Sequence, residues 1–336
     1  MATNQVAHAR AMLDTGQLQP TNLFTSKAWI DVLESTYGFT VEVVVDEQTG
    51  NPFVFVPIQD IVGKRLVSLP FSDYTDFGIR ADECERIVDS VLELYPGYSA
   101  TVRMALADCV EPSEALVHRV RIQDEASMWG TLSKEFRWGV RKAERNQVVV
   151  VRCADEASMD RFFAMFAEHR RRKFGVLTPP RAFFRAIERE FFETNQGFIL
   201  EAHAGSQIVS AALFLIYDGV LYYKAGASDL DAMVPCSNNL LLWDALRLAL
   251  GAAMRTVDLG MSWNTPQDRG LVLFKEGLGG RASPISVVQK EAKNSEESSR
   301  PSARQWLRDM TSFLTSLPLT TSQLDQAGEL WFRFFT

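Results

Sequence analysis

The stretch GFILEAHAGSQIVSAALFLIYDGVLYYKAG, residues 197–226, decides how this chain folds. Its apolar run is broken twice by two-residue turn signals, Gly205-Ser206 and Asp218-Gly219. The second is a strong hairpin signal, because both central residues of a type I′ turn need positive φ. The stretch therefore predicts three consecutive antiparallel strands, 197–204, 207–217 and 220–226. The same plan occurs earlier in the chain, as VEVVV (41–45), PFVFVPIQDI (52–61) and RLVSLPF (65–71). Gly63 and Gly219 differ by 156 positions, and so do Ser72-Asp73 and Ser228-Asp229. Each meander leads into a helical stretch, DECERIVDSVLELY (82–95) or SNNLLLWDALRLALGAAM (237–254), and then a short strand, YSATVRM (98–104) or RTVDLG (255–260). A repeated α+β unit follows, each copy a mostly antiparallel sheet flanked by helices. A chain of 336 residues exceeds what one core usually holds, so two domains are expected. The boundaries read as 22–150 and 151–290, with 291–336 a linker and helical tail; EAKNSEESSRPSAR (291–304) is polar enough to be that linker.

Composition narrows the function. The formal net charge is −7, which argues against general nucleic-acid binding, where a basic domain is the usual footprint. The longest strongly apolar run falls short of the ~20 residues a membrane span needs, and the N-terminus lacks the apolar core of an export signal. The cysteines, 84, 109, 153 and 236, and the histidines, 8, 118, 169 and 203, are scattered without metal-clip or triad spacing. A cytoplasmic protein with reduced thiols and no metal or cofactor is the expectation.

Against that acidic background, LSKEFRWGVRKAERN (132–146) gathers Lys134, Arg137, Arg141, Lys142 and Arg145. At 100° per residue, Lys134, Arg137, Arg141 and Arg145 fall on one side and Leu132, Phe136, Val140 and Ala143 on the other, an amphipathic helix with a cationic stripe. A second helix, 155–175, ends in Arg170-Arg171-Arg172-Lys173, where cations also suit the helix dipole.

Taken in order, FRWGVRKAERN, HRRRKFGVLTPPRAFF, SAALFLIYDGVLYYKAGASD, SNNLLLWDALRLAL and VDLGMSWNTPQDRGLVLFKEGLGG resemble the FemAB-like superfamily over most of residues 24–290. That resemblance implies two tandem GNAT-like (acyl-CoA N-acyltransferase-like) domains. It also implies an amide-forming transferase that takes an aminoacyl group from aminoacyl-tRNA to an amine of a peptide or other small-molecule precursor. A basic residue near the domain junction and a lysine in the final FK motif contact substrate phosphates in that family. The matching candidates are Arg137, Arg141, Lys142, Arg145 and Lys275, with Phe274 as a stacking surface.

The residues themselves speak about the donor. A CoA site of this fold needs a glycine-rich turn, whose backbone N–H groups hold the pyrophosphate at a helix N-terminus. GASDLDAMVPCSNN (226–239) has no glycine after Gly226, and SDYTDFGIRADE in the first copy carries acids. Both disfavour CoA and leave a donor held by basic side chains, such as a tRNA acceptor stem. A general base would assist the amine; Asp73, Asp76, Asp229 and Asp258 lie near strand ends, and Asp73 and Asp229, unless they cap turns, join Lys275 as the catalytic candidates. Tyr223, Lys224, Asn238, Asn239 and Ser262 are expected to converge at the strand ends, with only one of Tyr222 and Tyr223 facing a cleft. An N-acyltransferase using acyl-CoA or an acyl carrier protein, and a non-catalytic GNAT-like binding protein, remain as alternatives. The acceptor is not identifiable from sequence.

Overall fold

The computed structural model describes residues 20–336 apart from 47–49, 51, 77, 107–112, 233 and 293–299. The chain forms two compact units: Met1–Ala115 with Pro284–Met310 and Arg333–Thr336, and Leu116–Ser283 with Thr311–Phe332.

In the first unit, Ser26 accepts a hydrogen bond from Trp29 N and starts α1 (Lys27–Tyr37); Gly38, at φ 66°, stops it. Trp29, Ile30 and Leu33 face inward along α1, and the Trp29 indole donates to Ser72 Oγ at 2.7 Å. The meander is β1 (Glu42–Val45), β2 (Pro52–Asp60) and β3 (Gly63–Val67); a two-residue β4 (Thr75–Asp76), α2 (Ala81–Leu94) and β5 (Ser99–Ala105) follow. β3 pairs parallel with β5 and antiparallel with β2.

The second unit begins with β6 (Ala115–Arg121), α3 (Glu125–Thr131), α4 (Lys134–Arg145), β7 (Val148–Cys153), α5 (Glu156–His169) and α6 (Arg181–Ile187). Then come β8 (Gly197–Ala204), β9 (Gln207–Tyr217), β10 (Val220–Ser228), α7 (Ser237–Gly251), β11 (Thr256–Trp263) and α8 (Arg269–Gly277). Its strand order is β6-β11-β10-β9-β8-β7. Asp218 and Gly219 take φ of 44° and 68°, the conformation anticipated for the β9–β10 hairpin. The strand β12 (Arg281–Lys290) pairs with β5 from Ser286 onward, and α9 (Arg300–Ser316) and α10 (Thr321–Trp331) close the chain.

The duplication is structural. The order helix, three-stranded meander, helix, parallel strand is α1-β1-β2-β3-α2-β5 in one unit and α6-β8-β9-β10-α7-β11 in the other. α2 begins at Ala81 and α7 at Ser237, 156 residues apart. The fold is α+β, a mixed sheet flanked by helices in each unit.

Two features differ from the sequence-based expectation. α3, α4 and β7 lie in the second unit, although 150/151 was the expected boundary, because the apolar side of α4 has its partners there. Phe136, Val140 and Ala143 join one core cluster with Phe198, Phe214, Leu221, Trp243, Leu246 and Val257. At about 1.5–3 kcal/mol for each large apolar side chain buried, that packing outweighs proximity in sequence. The segment 291–304 is not a linker over its full length either: α9 begins at Arg300, while 293–299 lie outside the described residues. Within the second unit the tail docks as expected. Asp325 accepts from Arg181 N at 2.6 Å and thereby caps α6, while Gly328 lies so close to Thr178 O that a Cβ there would approach to 2.6 Å.

Candidate active site

The site is built where β10 and β11 part. Their parallel pairing runs from Val220↔Thr256 to Tyr222↔Asp258 and stops. β10 continues to Ser228 on β9, after a bulge between Tyr223 and Ala225, while β11 continues to Trp263. The edges of Tyr223–Ser228 and Leu259–Trp263 that would face each other are unpaired with one another, so the sheet opens into a wedge. Part of the β11 edge is taken up within the unit: Gly260 N donates to Asp258 Oδ1 at 2.8 Å and Trp263 N to Asp268 Oδ2 at 3.1 Å.

A closed circuit of contacts frames the wedge. Asn238 Nδ2, in the first turn of α7, donates to Ser228 Oγ at 2.8 Å and ties α7 to β10. Asn239 packs under Gly139 of α4, where a Cβ would come within 2.8 Å of its amide carbon. α4 meets α8 through Phe136 and Phe274, ring centroids 5.4 Å apart. α8 returns to β11 through Lys275, which is only 6% exposed; its Nζ donates to Gly260 O and Met261 O at 2.9 Å and to Ser262 Oγ at 2.8 Å. An ammonium has three N–H groups, and these three acceptors engage them. Lys275 is thus a buried clamp on the end of β11, rather than an exposed phosphate ligand, and Ser262 is its acceptor.

Tyr223, on the β10 side, packs against the core cluster, its ring centroid 5.7 Å from that of Phe214. Its hydroxyl lies over Gly226, where a Cβ would meet it at 2.0 Å, and burial pushes its pKa up to about 12, so it is a neutral phenol. Tyr222 points to the other side and is buried, as strand alternation requires. Lys224 occupies the bulge, between the paired residues Tyr223 and Ala225.

The cationic stripe is partly consumed. Arg137 donates to the carbonyls of Trp129 and Gly130 at 3.3 and 3.4 Å, satisfying the end of α3. Arg141 lies over the Trp129 ring at 5.5 Å, and Lys142 over Trp138 at 4.6 Å. Arg145, Arg141 and Lys134 are exposed. Next to the stripe, a groove of about 510 Å³ is lined by Lys134, Glu135, Trp138, Gly139, Cys236 and Asn239. Trp138, 54% exposed, is a flat aromatic face at its rim that sequence reasoning did not select.

Three of the four cations at 170–173 are engaged within the fold. Arg170 donates to Leu177 O and stacks near Phe166 and Phe332, with burial pulling its pKa down to about 10. Arg171 pairs with Glu168 and also donates to Leu317 O, and Arg172 pairs with Asp231 through both Nη atoms.

The candidate carboxylates fare differently. Asp229 accepts from Asp231 N at 2.8 Å and from Gln207 Nε2 at 2.8 Å, so it holds the turn between β10 and α7. Asp73 belongs to the first unit, where its charge supports the half-buried Arg103. Asp258 is 1% exposed; one oxygen accepts from Gly260 N at 2.8 Å and the other from Arg119 Nε at 3.1 Å. Asp229 and Lys275 lie in the unit that holds the wedge, in structural roles.

One buried group was not anticipated in this region. His118 of β6 is fully buried, and neither ring nitrogen has a hydrogen-bond partner. Desolvation, and then the nearby Lys275 charge, push its pKa down to about 4, so it is neutral. Among the described residues, no group of three or more His, Cys, Asp or Glu side chains could hold a metal ion.

A parallel pair thus opens beside a bulged strand, with the N-terminus of α7 tied to the end of that strand. Residues 131–266 match the acetyltransferase (GNAT) domain family. The chain is FemAB-like in fold. The structure of FemX superposes with a TM-score of 0.58 at 13% identity, covering 90% of this chain and 98% of that one. The structure of L-PGS from Bacillus licheniformis gives 0.54 at 10% identity, with 91% and 96% covered. The C-terminal domain (DUF2156) of a putative lysylphosphatidylglycerol synthetase from Agrobacterium fabrum gives 0.52 at 10% identity, with 93% and 97% covered. No curated protein matches the sequence. The matched GNAT segment contains the whole bulged strand and all of β11. No helix among the described residues is long and apolar enough to cross a membrane.

Proposed function

We propose that this chain is an amide-forming aminoacyltransferase whose donor is aminoacyl-tRNA and whose acceptor is the amine of a peptide or other small molecule, acting in the cytoplasm. The observation that carries the choice of donor is the turn before α7. There the Asp229 carboxylate accepts the Asp231 N–H, and Asp231 is itself ion-paired to Arg172. In a CoA-dependent GNAT site, backbone N–H groups of this turn are the natural cradle for pyrophosphate. Here a carboxylate occupies one of them and brings negative charge. The exposed cations of α4 and the Trp138 face suit a longer polyanion, with phosphates on Lys134, Arg141 and Arg145 and a terminal base stacked on the indole. FemX and the lysylphosphatidylglycerol synthetases share the fold, which agrees with this reading at the level of architecture.

Aminolysis of an aminoacyl ester needs little beyond positioning. The acceptor amine attacks the ester carbonyl carbon, the C–N bond forms, and the C–O bond to the ribose breaks. The amine proton passes to the departing ribose oxygen. In this reading the neutral Tyr223 phenol is a donor to the developing oxyanion. Lys275 is a positioning residue: it fixes the carbonyls of β11 on the opposite wall.

The test is equilibrium binding of a non-hydrolysable aminoacyl acceptor-stem mimic, alongside acetyl-CoA, to wild type and to R141A/R145A at two salt concentrations. Salt-sensitive stem binding, weakened about tenfold or more in the variant, is expected. Acetyl-CoA binding without any response to the stem would overturn the choice of donor in favour of an acyl-CoA enzyme.

A further inference from the structure

The wedge opens at the C-terminal ends of β10 and β11. At the other end of β11, a second concavity of about 640 Å³ is lined by Arg119, Arg121, Arg255 and Arg281, with Thr256 and Ser283 beside them. Four arginines line one groove in a chain whose net charge is −7. Local carboxylates answer only part of that charge. Asp258 takes Arg119 Nε, and Asp218 takes Arg255 Nη2 at 2.8 Å. Arg121 and Arg281 are exposed, and neither side chain has a recorded hydrogen bond or ion pair among the described residues.

The groove is also preorganised. Arg119 and Arg121 are two residues apart on β6 and so lie on one face of it, about 6.8 Å apart along the strand. Ile122 N donates to Arg255 O at 3.0 Å, which registers the end of β6 against the start of β11. The Arg119 guanidinium is held by Asp258, a carboxylate that is itself buried and fixed by Gly260 N. The opposite face of the same strands, through Val120 and Val257, is buried in the core. Like charges gathered on a rigid floor repel one another, and an anion that binds several of them relieves that repulsion. Guanidiniums present planar forks that match phosphate oxygens in pairs, and the hydroxyls of Thr256 and Ser283 add neutral donors.

We propose that this groove is a second ligand site, separate from the acyl-transfer wedge, that binds a ligand carrying two neighbouring phosphate groups. Arg121 and Arg281 make the principal contacts, and Arg119 and Arg255 are held in place behind them. The assignment does not depend on which acyl donor the wedge accepts.

The test uses the full chain and reads binding, not transfer. Inorganic pyrophosphate and inorganic phosphate are titrated calorimetrically into wild type, R121A/R281A, R121K/R281K and a charge-matched control, R304A/R308A on exposed positions of α9. Vesicles of phosphatidylcholine with and without phosphatidylglycerol are sedimented with the same proteins. The expected result is saturable pyrophosphate binding, tighter than that of phosphate, reduced at least tenfold in R121A/R281A, reduced less in the lysine pair, and unchanged in the control. All variants should keep the wild-type melting temperature, because both altered arginines are exposed. Capture by anionic vesicles that the alanine pair loses, without pyrophosphate binding, overturns the diphosphate ligand in favour of an anionic lipid surface. Equal pyrophosphate affinity in wild type and R121A/R281A, or binding of neither probe by wild type, overturns the site.

Discussion

Lys275 shows how far a side chain's type constrains its role. A lysine following a phenylalanine and preceding Glu-Gly-Leu-Gly-Gly reads as a mobile phosphate ligand, yet its ammonium is inside, holding Gly260 O, Met261 O and Ser262 Oγ. Replacing it by methionine leaves those acceptors buried and unsatisfied, at about 1–3 kcal/mol for a group so exposed to loss. K275M should therefore lower stability by about 2–4 kcal/mol in chemical denaturation. An unchanged denaturation midpoint would return Lys275 to the role of an exposed ligand. His118 makes a pH-dependent prediction. Its folded pKa is depressed to about 4 from 6.5, so the unfolded chain takes up the proton first. The stability that neutral His118 permits is complete above pH 6.5 and is lost progressively as pH falls from about 6.5 to about 4. H118L should flatten that part of the stability-versus-pH curve; if wild type and variant lose stability in parallel over this range, the buried imidazole is not responsible.

At the level of elements, α4 was legible because its 3.6-residue period is local. Leu132, Phe136, Val140 and Ala143 are all buried, and Ser133 caps the helix by accepting from Phe136 N. What it packs against was not legible. The close crossing with α7 rests on Gly139, where any Cβ collides with the Asn239 amide. G139A should cost about 1–3 kcal/mol through overpacking, and N239A in the same chain should recover much of it. A double-mutant cycle with no coupling would mean that the two helices are not held by this contact. The arginine groove escaped sequence reading for a related reason. β6 and β12 are mixed strands without clean alternation, and Arg119 meets Asp258 across 139 residues.

For the whole molecule, the C-terminal segment is part of both units' stability. Asp325 and Gly328 dock α10 onto the start of α6, and Thr336 Oγ1 accepts from Arg65 Nε at 3.0 Å, beside the buried Arg65–Asp60 ion pair. A chain ending at Ser316 should show a lower melting temperature and bind a hydrophobic dye in the native baseline. A truncated protein that melts like the full chain would show that the tail only decorates the surface. The sequence by itself determined the duplicated meander, the hairpin at Asp218-Gly219, the two faces of α4 and the lack of a glycine cradle before α7. Each is a local pattern of period, turn chemistry or composition, written within some thirty residues. Only the tertiary structure decided that Lys275 turns inward, that Asp229 holds a turn, that α4 joins the second unit, and that four arginines share a groove. Those outcomes depend on which distant strands become neighbours, and so on burial and charge pairing between segments whose separation along the chain carries no local signal.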